Sequence, residues 1–407
     1  MTLKIVDVRC IEYEGRLDGT RDFWLDRLRQ PTDVYPEYRA AGPKQLRRDA
    51  DGRAIVTALF LHIETDSGLV GSTAAININT AAVILSDLRE HLIGADALAT
   101  EKVWDVCYRA MIHGRRGFGM MALSAVDCAL WDIKGQHFGV PAHVLLGGPT
   151  RDTAPAYVST LGSSLDPSSV RAEVTELAAR GYRAMKWFPR SGPQDGRAGI
   201  HQVVQLVGAI RDAGGPDLGI MLDAWSSWDI QFTVEVAKAT ESLGVTWIEE
   251  PLMADDVQGY RMLRRLVGDR TRIVGGEHEY TRWGFAGLAG EATLDLHQAD
   301  PQWAGGISEV SKIATIVSAM GGQLIPHGQS MQCNAAITFS ASPALVPQAE
   351  YLRRHAVLYQ HFLAHPIKPV GGVITAPTLP GLGMAIDPDK VVATRSVGAL
   401  VDHRPVG

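Results

Sequence analysis

The chain has little of what a membrane-embedded, secreted or nucleic-acid-binding protein needs. Nowhere does it approach the ~18 uninterrupted apolar residues of a membrane span. The opening segment, Met1-Thr2-Leu3-Lys4-Ile5-Val6-Asp7, lacks the apolar stretch of a signal peptide. Cysteine is scarce. Cys10, Cys107, Cys128 and Cys333 are scattered without metal-type pairing, which points to free thiols in a reducing cytoplasm. Basic residues form no run, and 39 Lys and Arg stand against 45 Asp and Glu for a net charge of −6, so the basic stripe of a nucleic-acid partner is missing. These absences lead to the expectation of a cytoplasmic protein with neither a membrane nor a nucleic acid as partner.

What remains is a globular composition. Of 407 residues 46% are hydrophobic, enough for a full core, and the length suits one large domain with a smaller one. The first part alternates as antiparallel strands do, over Lys4–Tyr13, Ile55–Thr65 and, after the turn Asp66-Ser67-Gly68, Leu69-Val70-Gly71. A polar segment from about Gly15 to Gly52, carrying Trp24, Tyr35 and Tyr38, has few signs of regular structure. Loops that long in compact domains are commonly functional, and its aromatics favour a lid. Apolar residues three and four apart predict helices from Ala81 to Phe138, closing at Gly139-Val140-Pro141.

Past Gly147-Gly148 short apolar runs alternate with helical stretches: Ala156–Leu161, Ala184–Phe188, Gly219–Leu222, Val245–Ile248, Arg272–Val274, Thr293–Gln298, Gln323–Ile325 and a weaker one at Glu350–Leu352. Eight strand–helix units predict parallel strands closed into a (β/α)8 barrel, with an open doubly wound sheet as the alternative. The expected organisation is an N-terminal α+β unit over residues 1–145 with its lid at 15–52, a barrel over 146–365, and a Gly- and Pro-rich tail, 366–407, packing back on the N-terminal unit.

The strand ends carry the chemistry. The third run ends in Asp223, the fourth in Glu249 and the fifth leads into Glu277, each one strand–helix unit after the last. Strand ends of a barrel converge on one mouth. Three carboxylates gathered there repel unless a cation sits between them, and hard oxygen ligands favour Mg2+. Asp300 and His327 end the next two runs. An Asp on one imidazole nitrogen leaves the other aimed into the pocket and raises its basicity, as a general base requires. Glu350 ends the eighth strand and can share a hydrogen bond. Each residue also has an ordinary reading. A lone Asp or Glu there is commonly a helix cap or first-turn residue, His327 a loop residue, and Lys186 a snorkelling lysine. The ordered series Lys186, Asp223, Glu249, Glu277, Asp300, His327, Glu350 weighs against coincidence. Trp225, Trp228 and Trp303 either wall the pocket or pack in the core.

The segment Ser124-Ala125-Val126-Asp127-Cys128-Ala129-Leu130-Trp131-Asp132-Ile133-Lys134-Gly135, with Leu145-Leu146-Gly147-Gly148 after it, resembles the enolase superfamily and its mandelate racemase subgroup over nearly the whole chain. The resemblance implies a modified (β/α)8 barrel under a capping domain made from both chain ends, with Mg2+ on Asp223, Glu249 and Glu277. It implies His327 with Asp300 as the base, Glu350 as electrophilic partner, and a homo-oligomer, from dimers to octamers. The subgroup often has Lys-x-Lys on the second strand. Here the run is Lys186-Trp187-Phe188, so Lys186 can neutralise a substrate carboxylate but Phe188 cannot serve as a second base. Inverting a centre needs a base on each face, whereas dehydration needs one. A closer resemblance, in Phe23-Trp24-Leu25-Asp26, Gly276-Glu277-His278 and Pro326-His327-Gly328, is to rhamnonate dehydratases and related acid-sugar dehydratases. Their lid tends to start with His-Trp, where this chain has Phe23. His278, Arg39 and Arg48 are then expected to touch a small sugar-acid substrate. A racemase, epimerase or cycloisomerase with the same metal site, and a non-catalytic sugar-acid binder, are the alternatives.

Overall fold

The computed structural model describes residues 2–19, 22–290 and 293–398, so the last nine residues of the tail lie outside the described residues. Strands β1 (Ile5–Leu17), β2 (Ala54–Thr65) and β3 (Val70–Ile76) form an antiparallel meander. Gly68, at φ 82°, makes the tight turn between the last two. The sheet lays its apolar side on the helices Thr100–Ala110 and Phe118–Phe138.

The Phe118–Phe138 helix is apolar almost all round because it is covered on two sides. Leu123, Val126, Leu130 and Ile133 join the cap core, while Cys128 and Trp131 join the barrel core. The acidic residues of its motif tie the two parts together. Asp127 accepts Ser308 N at 2.9 Å and Ser308 Oγ at 2.6 Å, and Asp132 accepts Ser72 N and Leu382 N. Close approach requires glycine at position 71, where a Cβ would lie 2.1 Å from the Ala129 carbonyl oxygen. All four cysteines are free and buried.

The second sheet is parallel and curled. Strands β4 (Thr153–Ser159), β5 (Ala184–Trp187), β6 (Gly219–Asp223), β7 (Val245–Glu249), β8 (Arg272–Gly275), β9 (Leu296–His297) and β10 (Ala349–Leu352) run in the order β10-β4-β5-β6-β7-β8-β9. The expected modified barrel is therefore present, with one difference. The run Gln323–Ile325 contributes a single parallel bridge, His297 to Leu324, in place of a strand. Leu324 N turns to Leu345 O, and Pro326 has no N–H for a further rung. Side chains alternate along each strand, so Tyr157, Met221, Trp247, Val274, Leu296 and Ile325 fill the interior, and every second residue beyond them reaches the mouth.

The tail first adds β11 (Val373–Thr375) antiparallel to β4, then β12 (Ala393–Val397) antiparallel to β1, making the four-stranded cap sheet β12-β1-β2-β3. Among its described residues the segment between β1 and β2 holds only a 3-10 turn, Pro31–Val34, and a helical turn, Pro36–Arg39, each begun by proline. Arg27 organises it, donating to Leu28 O, Tyr38 O, Arg39 O, Ala41 O and Asp33. It docks on the barrel through Leu25 N to Gly162 O at 2.8 Å, Arg29 to Arg190 O at 2.8 Å, and an Arg190–Asp26 ion pair. Among the described residues no helix is long and apolar enough to cross a membrane.

Candidate active site

Strand alternation fixes which residues face the mouth. On β5 Lys186 points inward while Met185 and Trp187 pack outward, and on β6, β7 and β10 the inward positions near the end are Asp223, Glu249 and Glu350. Glu277 arrives from the loop after β8, past Gly276 at φ 103°. Oxygens of Asp223, Glu249 and Glu277 all lie within 4.8 Å of one another, and the three residues are buried. Lys186 Nζ sits 3.0 Å from Asp223 Oδ2 and 2.8 Å from Glu350 Oε1, and also pairs with Glu249. Its ammonium is therefore committed to carboxylates, not left facing an open cavity. The Phe188 ring lies 5.5 Å from the same ammonium.

His327 Nδ1 is 2.6 Å from Asp300 Oδ2, and its Nε2 is 3.4 Å from Glu277 Oε2. Asp300 is fixed in turn by Gln302 N at 2.6 Å, and Asn334 Nδ2 donates to His327 O at 2.5 Å. Glu350 accepts Ser159 Oγ at 2.5 Å and Gly328 N at 2.9 Å. Trp303 packs at 4.8 Å from the His327 ring and 5.6 Å from the His278 ring, while Trp225 donates to Glu277 and lies 5.7 Å from His278. These two tryptophans wall the site. Trp228 packs on Phe232 and donates to Ser191 O, so the core reading holds for it.

Some expected substrate contacts lie elsewhere. Arg39 donates to the carbonyls of Asp33 and Val34 within the lid, and Arg48 is exposed, donating to Gly52 O beside its bridge with Ala54. Glu250, not singled out from the sequence, is buried and holds His278 Nδ1 at 2.6 Å while accepting Gly276 N at 3.1 Å. As the neighbour of Glu249 it should face away from the mouth. The chain instead turns at φ 37°, a left-handed conformation that non-glycine residues seldom adopt. Trp225 and Ser226, after β6, are left-handed too, so backbone strain gathers round this mouth.

The electrostatics are those of too many buried carboxylates. Among the described residues, Asp223, Glu249, Glu250, Glu277, Asp300 and Glu350 are paired with Lys186, His278 and His327 as bases. Burial raises Glu277 to about 7 despite His327, and drives Glu249 well upward against the pull of Lys186. Burial opposes the charge on Glu350 as well, but Lys186 and His327 outweigh it and bring Glu350 to about 2. Burial likewise disfavours the His327 imidazolium, yet Glu277 and Asp300 raise its pKa to about 10. For His278 the same contest, with Glu250 as the main partner, ends at about 9. A divalent cation among Asp223, Glu249 and Glu277 fits this donor set, being hard-oxygen and short of positive charge.

A cap closing a parallel barrel whose strand ends bear a carboxylate cluster and a His–Asp pair defines a class of barrel enzymes. The chain belongs to the enolase superfamily: residues 169–390 match the enolase C-terminal domain-like family, and residues 33–147 match the mandelate racemase / muconate lactonizing enzyme N-terminal domain. It is 32% identical over 405 residues to L-rhamnonate dehydratase of Saccharopolyspora erythraea, covering 95% of this chain and 97% of that one. It is 33% identical over 352 residues to D-galactarolactone cycloisomerase of Agrobacterium fabrum, covering 83% and 91%. The crystal structure of rhamnonate dehydratase from Gibberella zeae complexed with Mg superposes with a TM-score of 0.80 at 26% identity, covering 96% of this chain and 95% of that one.

Proposed function

We propose that this enzyme is an Mg2+-dependent dehydratase of a sugar acid, an aldonate such as rhamnonate or a relative, yielding a 2-keto-3-deoxy acid. The observation carrying this reading is a single His–Asp base, His327 on Asp300 at 2.6 Å, with Phe188 where a second base would stand. Mg2+ held by Asp223, Glu249 and Glu277 would stabilise negative charge developing on the substrate carboxylate, typically by several kcal/mol. Asp300 holds the imidazole of His327 by Nδ1, and a metal on Glu277 would offset the charge that most raises the pKa of His327, so that a neutral Nε2 takes the proton from C2. The same imidazolium returns that proton to the departing 3-hydroxyl, which leaves as water, and the enol becomes the ketone. Lys186 and Glu350 balance charge beneath the substrate. His278, oriented by Glu250, offers a second imidazole to substrate hydroxyls. The walls of Trp225 and Trp303 exclude water, which strengthens every charge interaction inside.

Support also comes from the likeness to L-rhamnonate dehydratase. A lactone cycloisomerase is the second reading. It keeps the same base and carboxylates, changes the leaving group, and is favoured by the 33% identical relative. The deciding experiment incubates purified protein and Mg2+ with aldonates, aldarates and aldarolactones in D2O, followed by proton NMR. A new 2-keto-3-deoxy acid from an aldonate is expected. Deuterium entering unchanged acid would mean an epimerase, and turnover of a lactone alone a cycloisomerase.

A further inference from the structure

A second set of ligand atoms adjoins the carboxylate cluster and shares one member with it. Among the described residues, one atom each from Glu250, Glu277 and His278 lie within 4.8 Å of one another, as do those of Asp223, Glu249 and Glu277. Glu277 thus stands between two sets. Glu250 arrives through the left-handed turn at its own position, and it passes over Gly275, where a Cβ would come within 3.1 Å of Glu250 Cγ. Its Oε1 accepts Gly276 N at 3.1 Å and His278 N at 3.4 Å, which leaves Oε2 for the imidazole.

His278 Nδ1 has two carboxylates before it, Glu250 Oε2 at 2.6 Å and Glu277 Oε1 at 3.6 Å. One proton on Nδ1 serves only the nearer, since 3.6 Å is beyond hydrogen-bond reach. A dication bonded at ~2.0–2.2 Å to each would engage all three, its ligands roughly 3–4 Å apart. The His278 side chain is 29% exposed, against 2% for Glu250 and 3% for Glu277, so an ion can enter from the imidazole side. Charge favours it too. The buried carboxylates of this mouth outnumber its ammonium and two imidazoles by more than one divalent ion cancels. The donors also differ from those of the first set. Asp223, Glu249 and Glu277 offer oxygen alone, which suits Mg2+, whereas an imidazole nitrogen with two carboxylates suits Zn2+. Two divalent ions ~3.5–4 Å apart are the usual spacing of two-metal sites, and a shared carboxylate such as Glu277 can bridge them.

We propose that Glu250, Glu277 and His278 form a second metal site, selective for Zn2+ over Mg2+ and joined to the first through Glu277. The test dialyses tag-free full-length protein against millimolar Mg2+ with micromolar Zn2+, then counts metal per chain by atomic emission. Wild type should retain two ions, at least one of them zinc. His278→Asn and Glu250→Gln should each hold one ion fewer, while Asp223→Asn, which touches only the first set, should keep its zinc. Should His278→Asn fail to fold by circular dichroism, Glu250→Gln carries the comparison. Zinc-edge X-ray absorption of Asp223→Asn should show a single imidazole among oxygen ligands. One ion per chain in wild type, a second ion that persists in the folded His278 or Glu250 variant, zinc lost from Asp223→Asn, or several imidazoles on the zinc would overturn the proposal. Metal content is read without substrate, so this outcome is separate from whether the enzyme dehydrates a sugar acid.

Discussion

His278 Nδ1 lies 2.6 Å from Glu250 Oε2, the same separation that joins His327 Nδ1 to Asp300 Oδ2. Two imidazoles are thus oriented by buried carboxylates on either side of Trp303, whose ring contacts both. In each the carboxylate secures one ring nitrogen, so the other is available to a ligand. The two pairs are expected to differ in what they do, and mutation separates them.

Removing the base should stop chemistry and spare the metal site. His327→Asn is expected to lower kcat by about 10²–10⁴-fold or more. Mg2+ affinity by calorimetry should stay within a few-fold. Wild-type turnover in this variant would eliminate His327 as the base.

The adjacent residues Glu249 and Glu250 should give opposite phenotypes. Glu249→Gln removes an oxygen from the carboxylate cluster and should lose Mg2+ binding and activity together. Glu250→Gln frees the His278 ring and should raise KM about tenfold with Mg2+ binding retained. Loss of the metal in both variants would show that Glu250 acts as a ligand instead.

Mg2+ should stabilise the fold as well as enable turnover. Binding to the native state alone raises stability with ligand concentration, here by relieving repulsion among buried carboxylates. The thermal midpoint should rise over millimolar Mg2+ and fall back with EDTA, and Asp223→Asn should erase the rise. A midpoint indifferent to Mg2+ in the wild type would contradict the assignment of these three ligands.

The lid should be sensitive to one glycine. Gly162→Val places a branched side chain at φ +84° and into Trp24, while Leu25 and Asp26 both donate to its carbonyl. Limited proteolysis between residues 22 and 50 should accelerate, with kcat/KM reduced about tenfold or more. Unchanged proteolysis and kinetics would mean the lid docks without this contact.

Acid should weaken the part of the stability that rests on two neutral buried histidines. Burial lowers both His62 and His297 from 6.5 to about 4. Between pH 6.5 and 4 these two side chains take up protons in the unfolded chain first, so their contribution to stability falls as pH drops through that window and is gone below it. Each histidine contributes roughly 3 kcal/mol over the full window. Urea midpoints across this range should give the wild type a slope more unfavourable toward acid than that of His297→Gln, because the buried carboxylates Asp127 and Glu277, both near 7, titrate alike in the two proteins. An identical slope in that variant would place the linkage elsewhere.

Much of this architecture could be read from residues alone. Period-two alternation ending in Asp223, Glu249, Asp300 and Glu350, repeated at strand–helix intervals, specifies both a barrel and a convergent mouth, because parallel strands all deliver their last inward residue to one side. Apolar spacing likewise marked a helical stretch from Ala81 to Phe138, which the structure divides into separate helices ending with Phe118–Phe138. The composition shows a helix without a polar face, but only packing reveals that its second side is the barrel.

Other features depend on contacts between residues far apart in the chain. Glu250 reaches the site only because the backbone takes a left-handed turn after β7, against the alternation that its position implies. Lys186 is bound by Asp223, Glu249 and Glu350, a choice made by three other strands. Arg39 satisfies carbonyls of its own lid, and the Gln323–Ile325 run yields one bridge because Leu324 finds Leu345 and Pro326 lacks a donor. Sequence pattern determined the strand ends and the residue types set on them, since local periodicity suffices for that. Only the tertiary structure decided which buried charges pair, which indoles wall the pocket, and that Glu277 stands between two sets of ligand atoms, since burial and partnership arise when distant segments meet.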